Sequence, residues 1–255
     1  IKSYGFIVPV AAPGLQEGQD VRDLYGVTKY DPGPCFSQDG IVQGEHMSLP
    51  EDGMVPQYDI EGMRRYGHVI EPGELVSVTE KIHGSNGRWA YLGNRLLCGS
   101  RTRFRKESVW NRMAVRYGLE AILGLPENHG LVLYGEVYGS GIQDLTYGLT
   151  EQEFRFFDVY DSKVGTWYEV DRFDAFLRQY GLPGCPELFR GPYDAGKIAA
   201  MAEGPSTLDG ANHVREGVVV KPLTERWDQE VGRVFLKQPG EGYLLRKQPE
   251  PEDEA

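Results

Sequence analysis

Charged residues stand at the ends of the β-rich runs of this chain, and this placement restricts its fold more than any other feature. Lys81, Glu136, Glu216 and Lys237 each adjoin or end such a run, and Arg101 ends another. A charge beside an apolar strand is costly unless water, an opposite charge or a metal ion compensates for it. For any one of these residues a structural ion pair at a sheet rim is the simpler explanation, but the five together favour a functional site.

The stretch from Val78 to Asn86 is the centre of that candidate site. A β-rich run, Leu75 to Thr79, leads to Lys81 and then to a turn marked by Gly84. The amine of a lysine forms covalent bonds with electrophiles when it is unprotonated. The pattern Lys-x-His-Gly is weak alone, so its meaning depends on the rest of the chain. Such a lysine needs cations to neutralise phosphate, carboxylates to hold a divalent metal, and an apolar slot for a base.

Basic residues are concentrated in one part of an otherwise acidic chain. The net charge of −11 argues against a general affinity for nucleic acid. Residues 88–116, however, hold eight cations against the single acid Glu107. The cations are Arg88, Arg95, Arg101, Arg103, Arg105, Lys106, Arg112 and Arg116. A stripe of this kind can dock a phosphate backbone locally, even on an acidic protein.

Strands separated by irregular helices predict an α+β fold with antiparallel or mixed sheets, rather than a regular βαβ series. A hairpin is predicted over Gly87 to Ser100, with its turn at Gly93-Asn94, and it would return Arg101 to the side of Lys81. Strict alternation in Phe154 to Tyr160 places Phe154, Phe156 and Asp158 on one face. The other predicted elements are a short helix in Asp59–Tyr66, helices Lys106–Leu123, Asp171–Tyr180 and Asp194–Ala202, and strands Leu131–Val137, Trp167–Val170, Glu216–Lys221 and Val234–Lys237.

No window of the sequence holds about 18 consecutive apolar residues, and the first residues do not form a charged-then-apolar signal sequence. We therefore expect a cytoplasmic protein without a membrane partner, and nothing in the sequence implies an obligate protein partner. Cys35, Cys98 and Cys185 lie far apart in no metal-binding spacing, so we interpret them as reduced and structural.

Six short segments follow one another in a characteristic order: Glu80–Asn86, Ser100–Arg101, Tyr134–Glu136, Phe157–Asp158, Glu216–Lys221 and Leu236–Lys237. This set resembles the six motifs of the covalent nucleotidyltransferases, which include ATP-dependent DNA ligases, RNA ligases and mRNA capping enzymes. DNA ligases and capping enzymes usually have Asp where His83 stands. His83 followed by Ser85-Asn86, together with Gly135–Gln143, is most similar to nick-sealing ATP-dependent RNA ligases of the type 2 group. The resemblance spans roughly residues 75–247.

The resemblance implies a domain organisation and a reaction. Residues 46–247 would form the nucleotidyltransferase domain, 1–45 the end of an OB-like module plus a linker, and 248–255 an acidic disordered tail. Lys81 would attack the α-phosphorus of ATP to give lysyl-AMP. The AMP would then move to a 5′-phosphate, and a 3′-OH would displace it to seal a nick in duplex RNA or an RNA-containing duplex, as in RNA repair.

The resemblance also implies roles for single residues. The catalytic residues would be Lys81, Lys237 and Arg101. The residues that bind ATP would be Glu80, Ile82, Glu136, Phe157, Glu216 and Lys221. Glu216 and Glu136 would hold Mg²⁺ or Mn²⁺. Contacts with nucleic acid would come from Asn86, Arg103, Arg105 and His83.

Four details of these roles are separate expectations. Neighbouring cations and a metal should depress the pKa of Lys81. Phe157 would stack on adenine, although a core aromatic is the alternative. Lys221 would contact phosphate or pair with an acid. Relatives often carry a basic residue two positions before the last motif lysine, where this chain has Phe235, and this departure puts the register of Lys237 in question.

Two other functions compete with an RNA ligase at this stage. One is a different covalent nucleotidyltransferase, either a DNA ligase or a capping-type guanylyltransferase, that uses the same fold. The other is a catalytically inactive relative that binds nucleic acid through its basic stripe. The complete set of charged residues argues against loss of activity.

Overall fold

The computed structural model describes residues 55–246 and the backbone of His46–Met47. The interpretations of residues 1–45 as part of an OB-like module and of 248–255 as an acidic tail lie outside the described residues. Within the described part, no helix has both the length and the apolar character needed to cross a membrane.

Strands dominate the described part of the chain, and most of the helices between them are short. The strands are β1 (His46–Met47), β2 (Glu61–Gly62), β3 (Leu75–Glu80), β4 (Ser85–Leu92), β5 (Arg95–Ser100), β6 (Phe104–Arg105), β7 (Leu131–Gly139), β8 (Gln152–Asp161), β9 (Thr166–Trp167), β10 (Glu187–Pro192), β11 (Gly217–Pro222), β12 (Trp227–Asp228), β13 (Gly232–Arg233) and β14 (Leu236–Pro239). The α-helices are α1 (Met63–Tyr66), α2 (Val109–Arg116), α3 (Leu119–Leu123), α4 (Val170–Tyr180), α5 (Ala195–Ala202) and α6 (Glu241–Leu245).

The strands form two main sheets. The larger has the order β1-β6-β5-β4-β7-β8-β9, and the smaller has the order β10-β3-β11-β14-β2, while β12 and β13 make a separate hairpin. Neighbouring strands are antiparallel throughout the larger sheet, and the β14–β2 pair of the smaller sheet is parallel. The prediction of an α+β fold with antiparallel and mixed sheets is therefore confirmed.

Each sheet is covered by helices on one face. Apolar residues of β4, β7 and β8, such as Trp89 and Phe154, pack with α2, α3 and α4 in one core. In the smaller sheet, Val78 and Val220 pack with Ile198 of α5 in a second core. Burying one large apolar side chain contributes roughly 1.5–3 kcal/mol. The other face of the larger sheet packs with Tyr58 and Phe235 of flanking segments.

The predicted hairpin is present, and its turn has the expected chemistry. Gly93 and Asn94 both have positive φ, 56° and 57°, which a type I′ turn requires at its two central positions. The predicted helix Lys106–Leu123, in contrast, is two helices. Gly118 adopts a left-handed conformation with φ 62° between α2 and α3, and such a residue ends a helix.

A β-bulge in β8 overturns the predicted face of Asp158. Tyr134 of β7 lies opposite Asp158, whereas its neighbour Gly135 lies opposite Phe156, so Phe157 is an extra residue. Phe154 and Phe156 pack in the helix-covered core, and Asp158 contacts Tyr58 on the other side of the sheet. The prediction that Asp158 shares a face with these phenylalanines is wrong, because the extra residue shifts the alternation by one.

Candidate active site

Lys81 lies on the crossover between the two sheets. Strand β3 ends at Glu80 in the smaller sheet and β4 begins at Ser85 in the larger one, so the intervening residues bridge the sheets. The backbone N–H of Lys81 donates to the carbonyl of Gly217 at 2.9 Å. A Cβ at Gly84 would clash with the carbonyl of Val137, so only glycine allows this close approach to β7.

The crossover borders a cavity of about 310 Å³ between the sheets. This volume is at the lower end of the range for small-molecule sites. Among the residues predicted for the site, those lining the cavity are Glu80, Lys81, Ile82, Asn86, Arg101, Glu136, Phe157, Lys221 and Lys237. Apolar side chains of Phe156, Phe173 and Leu177 form another part of its wall. The structure thus brings together residues that are up to 157 positions apart in sequence, Glu80 to Lys237.

Strand register answers the question that Phe235 raised about Lys237. Lys237 lies opposite Val219 in β11, and Val219 lies opposite Thr79 in β3. All three residues line the cavity. Phe235 is buried and packs against Tyr58, with ring centroids 4.9 Å apart. The position that is basic in relatives thus belongs to the core here, and Lys237 remains in the cavity wall.

The nearest charge to the Lys81 amine is a carboxylate. Glu216 Oε1 lies 2.7 Å from Lys81 Nζ. Burial alone would lower the pKa of Lys81, but Glu216 and Glu136 outweigh it and raise the pKa above its ordinary value. The expectation of a depressed pKa is wrong for this arrangement, because carboxylates rather than cations dominate the surroundings of the amine. Arg101 is instead ion-paired with Asp59.

Glu136 and Glu216 are suited to hold a divalent cation. Glu216 Oε2 is buried and has no hydrogen-bond partner among the described residues. Carboxylate oxygens are the ligands that Mg²⁺ and Mn²⁺ prefer. Groups of three or more metal-ligating side chains are absent from the part of the chain that the structure describes. Mg²⁺ sites in nucleotide enzymes commonly use one or two carboxylates together with substrate phosphates, and this pair fits that type of site.

The two carboxylates differ in protonation. Burial, with the nearby charge of Glu216, raises the pKa of Glu136 to about 8, although Lys81 opposes this. Glu216 itself has a lowered pKa, because the His83 side chain and the charge of Lys81 together outweigh the effect of burial. Near neutral pH Glu136 therefore binds a proton more readily than an ordinary glutamate, and Glu216 remains ionised.

We expect the raised pKa of Glu136 to make stability fall with rising pH. Between about pH 4.5 and about pH 8 the folded state keeps the Glu136 proton and the unfolded state releases it, so the free energy of unfolding decreases across this window. Urea unfolding of the wild type and of Glu136→Gln at pH 5 to 9 measures this effect. The variant should gain stability relative to the wild type as pH rises. A pH-independent difference between the two proteins would contradict the assignment.

His83 is enclosed by polar groups from distant segments. Asp144 Oδ1 lies 2.7 Å from His83 Nε2, and the Tyr243 hydroxyl lies 2.9 Å from His83 Nδ1. The backbone N–H of His83 donates to the Tyr147 hydroxyl at 2.6 Å. Glu216 Oε2 is 3.6 Å from Nδ1, which is too long for a hydrogen bond. A contact of His83 with nucleic acid stays a prediction.

Two residues predicted to bind ATP use their side chains within the protein. The Glu80 carboxylate accepts hydrogen bonds from Ser206 Oγ at 2.6 Å and from the N–H and Oγ1 of Thr207 at 2.7 and 2.6 Å. Of the two alternatives for Lys221, the structure shows the pairing with acids. Its Nζ lies 3.0 Å from Asp158 Oδ1 and 3.1 Å from Glu225 Oε1. Any contact of these residues with a nucleotide stays a prediction.

The remaining predicted residues divide into two groups. Phe157, Asn86 and Ile82 line the cavity, and the Phe157 ring also packs against Tyr58 with centroids 4.6 Å apart. Arg103 and Arg105 are not part of the cavity wall that the described residues form. Arg105 is buried, so the prediction that it contacts nucleic acid lacks the exposed side chain that it needs.

Sequence reasoning missed several groups around the site. Asp59, Asp144 and Tyr243 contact predicted site residues, yet none of them lies within the short segments that carry the resemblance. The two groups at His83 come from 61 and 160 positions away in sequence. Only the positions of the segments in space reveal such contacts.

The fold and the site together define a class of protein. A lysine on the crossover between two sheets, beside paired carboxylates and a cavity edged by Lys237 and Arg101, is the arrangement of a covalent nucleotidyltransferase. The sequence matches the RNA ligase family over residues 74–238. The chain belongs to this family and is a ligase enzyme.

Solved structures of a Naegleria gruberi RNA ligase are similar to this chain. The structure with pyrophosphate is 26% identical, has a TM-score of 0.71, and aligns over 91% of this chain and 68% of that chain. A mutant of the same ligase with ATP and Mn is 26% identical with a TM-score of 0.69, covering 91% and 67% of the two chains. Another mutant, with AMP and Mn, is 26% identical with a TM-score of 0.68 and covers 91% and 68%. Among curated proteins, no match is found.

Proposed function

We propose that this enzyme seals nicks in RNA with ATP, through a covalent lysyl-AMP intermediate and an RNA-adenylate. The observation that carries the proposal is the position of Lys81, whose amine edges the cavity beside Glu216 on the crossover between the sheets. A lysine amine at the edge of a nucleotide-sized cavity can form a covalent bond to a phosphorus atom once it has lost its proton. Membership of the RNA ligase family supports the proposal.

The first proposed step is the transfer of AMP from ATP to the Lys81 amine. The Lys81 ammonium first loses its proton to solvent, and Glu216 Oε1, 2.7 Å from the amine, accepts a hydrogen bond from it and holds it in place. The amine then forms a bond to the α-phosphorus of ATP, and the bond from that phosphorus to the pyrophosphate oxygen breaks. Lys237 lines the same cavity and supplies positive charge for the developing negative charge on phosphate.

ATP and a divalent cation are the proposed cofactors. The similar Naegleria gruberi ligase has been solved with ATP and Mn, and with AMP and Mn. In this chain Glu136 and Glu216 would hold Mg²⁺ or Mn²⁺, and the metal would neutralise phosphate charge during transfer. Phe157 and the apolar wall of Phe173 and Leu177 offer surfaces for the base.

In the later steps the AMP moves from Lys81 to a 5′-phosphate, and a 3′-OH displaces it. The nicked duplex would approach from the side of the β4–β5 hairpin. Arg95 at the start of β5, Arg101 directly after its end and Arg112 on α2 are all exposed to solvent. Exposed arginines position a phosphate backbone and carry no sequence information by themselves. Arg101 also lines the cavity, so it is suited to lie between the bound RNA and the nucleotide.

Sealing of matched nicks tests the substrate class. Three duplexes with a single 3′-OH/5′-phosphate nick, RNA:RNA, RNA:DNA and DNA:DNA, are incubated with enzyme, ATP and Mg²⁺ or Mn²⁺. We expect joining only where the 3′-end at the nick is a ribonucleotide. Replacing ATP by GTP should abolish joining, because the proposed nucleotide is ATP. Efficient sealing of the all-DNA nick would instead assign the enzyme as a DNA ligase.

A further inference from the structure

Tyr147, a buried residue with a positive φ, holds the loop between β7 and β8 against the crossover. Tyr147 is fully buried and has φ 57°, a conformation that is unfavourable for a bulky side chain. Its hydroxyl accepts a hydrogen bond from the backbone N–H of His83 at 2.6 Å, and its ring packs edge-on against Tyr138 and His213. The surrounding contacts maintain this backbone conformation, which places the loop beside His83.

The same loop reaches the His83 imidazole through Asp144. Asp144 Oδ1 lies 2.7 Å from His83 Nε2, and Gln143 Nε2 donates to the carbonyl of Gly84 at 3.3 Å. Arg246 donates to both Asp144 oxygens, at 3.2 and 3.1 Å. The carboxylate that meets His83 is therefore itself fixed from a second direction.

Helix α6 contacts the other ring nitrogen. The Tyr243 hydroxyl lies 2.9 Å from His83 Nδ1, and the Arg246 guanidinium lies 3.7 Å from the centre of the Tyr243 ring. The backbone N–H groups of Glu241 and Gly242 donate to the Glu203 carboxylate, at 2.5 and 3.2 Å, and fix the start of the helix. Both nitrogens of His83 thus have partners, from two segments that are remote in sequence.

We infer that Asp144 and Tyr243 are positioning residues that act through His83. Partners at both ring nitrogens fix the plane of the imidazole, and its Nδ1 edge then lies 3.6 Å from Glu216 Oε2. Glu216 in turn pairs with Lys81. The His83 clamp, defined as Asp144, Tyr147 and Tyr243, therefore fixes the imidazole against the carboxylate that pairs with the nucleophile. This inference rests on the proposed lysyl-AMP reaction.

Measuring two rates shows which step of the reaction depends on the His83 clamp. One is the single-turnover formation of lysyl-AMP over a range of ATP concentrations, and the other is the sealing of a nick that already carries a 5′-adenylate. Asp144→Ala and Tyr243→Phe should slow the same step that His83→Ala slows, by roughly tenfold or more in maximal rate. The ATP concentration at half-maximal rate should change by less than about twofold, since neither side chain lines the ATP cavity.

Conservative replacement and double variants distinguish positioning from support of the loop. Asp144→Asn keeps an oxygen acceptor for Nε2–H and should recover most of the rate lost in Asp144→Ala. Adding Tyr243→Phe to His83→Ala should cost less than about twofold more, because the lost contact acts only through the imidazole. Independent, multiplying losses in the double variant would overturn the inference.

Matched controls exclude general damage. Tyr117→Phe removes a hydroxyl that donates a hydrogen bond to Glu153 at 2.8 Å, and Glu230→Ala removes a carboxylate that lies 3.2 Å from His68; neither of these residues nor its partner lines the cavity. These variants should keep wild-type rates, and thermal melts should show every variant folded. Wild-type rates in both clamp variants, with a slow His83→Ala, would overturn the inference. If the wild type forms no lysyl-AMP, the proposed function fails rather than the clamp.

Discussion

Replacing Lys81 by alanine should abolish covalent labelling of the protein by ATP that carries a label in its α-phosphate. The amine is the group that forms the phosphorus–nitrogen bond in the proposed reaction, and it lies in the cavity wall, 2.7 Å from Glu216 Oε1. Overall sealing should fall by roughly 10⁴-fold or more. Lys81→Arg should be equally inactive, because a guanidinium keeps its proton in proteins.

The measurement is a denaturing gel of protein incubated with labelled ATP or GTP and a divalent metal. The label should appear with ATP, be acid-labile, and be absent in both Lys81 variants. Lys163→Ala, which removes an exposed lysine in the turn after β8, is the matched control and should label normally. A labelled Lys81→Ala protein would mean that a different residue is the nucleophile. Absence of label in the wild type, with RNA binding retained, would favour an inactive relative.

Removing the Asp158 carboxylate should destabilise the protein by about 3–5 kcal/mol. Asp158 is fully buried, and it accepts the Tyr58 hydroxyl at 2.7 Å and Lys221 Nζ at 3.0 Å. Arg233 Nη1 forms an ion pair with Asp158 Oδ2 at 2.7 Å. Asp158→Ala leaves Lys221 and Arg233 buried with Glu225 as their remaining acidic partner among the described residues. A buried charge that loses its partner is costly.

Urea unfolding at pH 7 measures this loss, with Asp171→Ala as an exposed control that should change stability by less than about 0.5 kcal/mol. The pKa of Asp158 is lowered, because Arg233 and Lys221 outweigh the effect of burial. The contribution of Asp158 to the free energy of unfolding is therefore present above the ordinary pKa of 3.8 and is lost as the pH falls below that value. The difference between wild type and variant should shrink in acid. An equal difference at pH 7 and at pH 3 would contradict this account.

Local pattern was sufficient to predict much of this fold, and contacts between distant segments were not predictable from it. The β4–β5 hairpin follows from Gly93-Asn94, because left-handed residues at a two-residue turn determine the register of both strands. Strand β10 was not predicted, since Arg190, Gly191 and Pro192 interrupt any apolar alternation. Pairing with β3 stabilises this strand, and no feature of its own sequence indicates that pairing.

In the site, too, some features were predictable from local sequence and others depend on contacts between distant segments. Lys81, Glu136 and Lys237 were predicted from their positions at the ends of predicted strands, and sheet pairing brings them to one cavity. The strand-end position itself is wrong for two of them, because β7 continues past Glu136 to Gly139 and β14 continues past Lys237 to Pro239. The surroundings of each side chain were not predictable. The raised pKa of Lys81 depends on which charges lie nearest in space, and the face of Asp158 depends on one extra residue in β8. Neither property is determined by residues adjacent in sequence.

The two carboxylates near the Lys81 amine are attached to different sheets, which the crossover carrying Lys81 connects. Glu216 stands directly before Gly217, whose carbonyl accepts the Lys81 N–H, so Lys81 and Glu216 belong to one rigid framework in the smaller sheet. Glu136 belongs to the larger sheet. A change in the separation of the sheets would therefore move Glu136 relative to the amine and leave the Lys81–Glu216 pair intact. With such a change, the electrostatic potential at the nucleophile would keep the contribution of Glu216 and lose or gain that of Glu136.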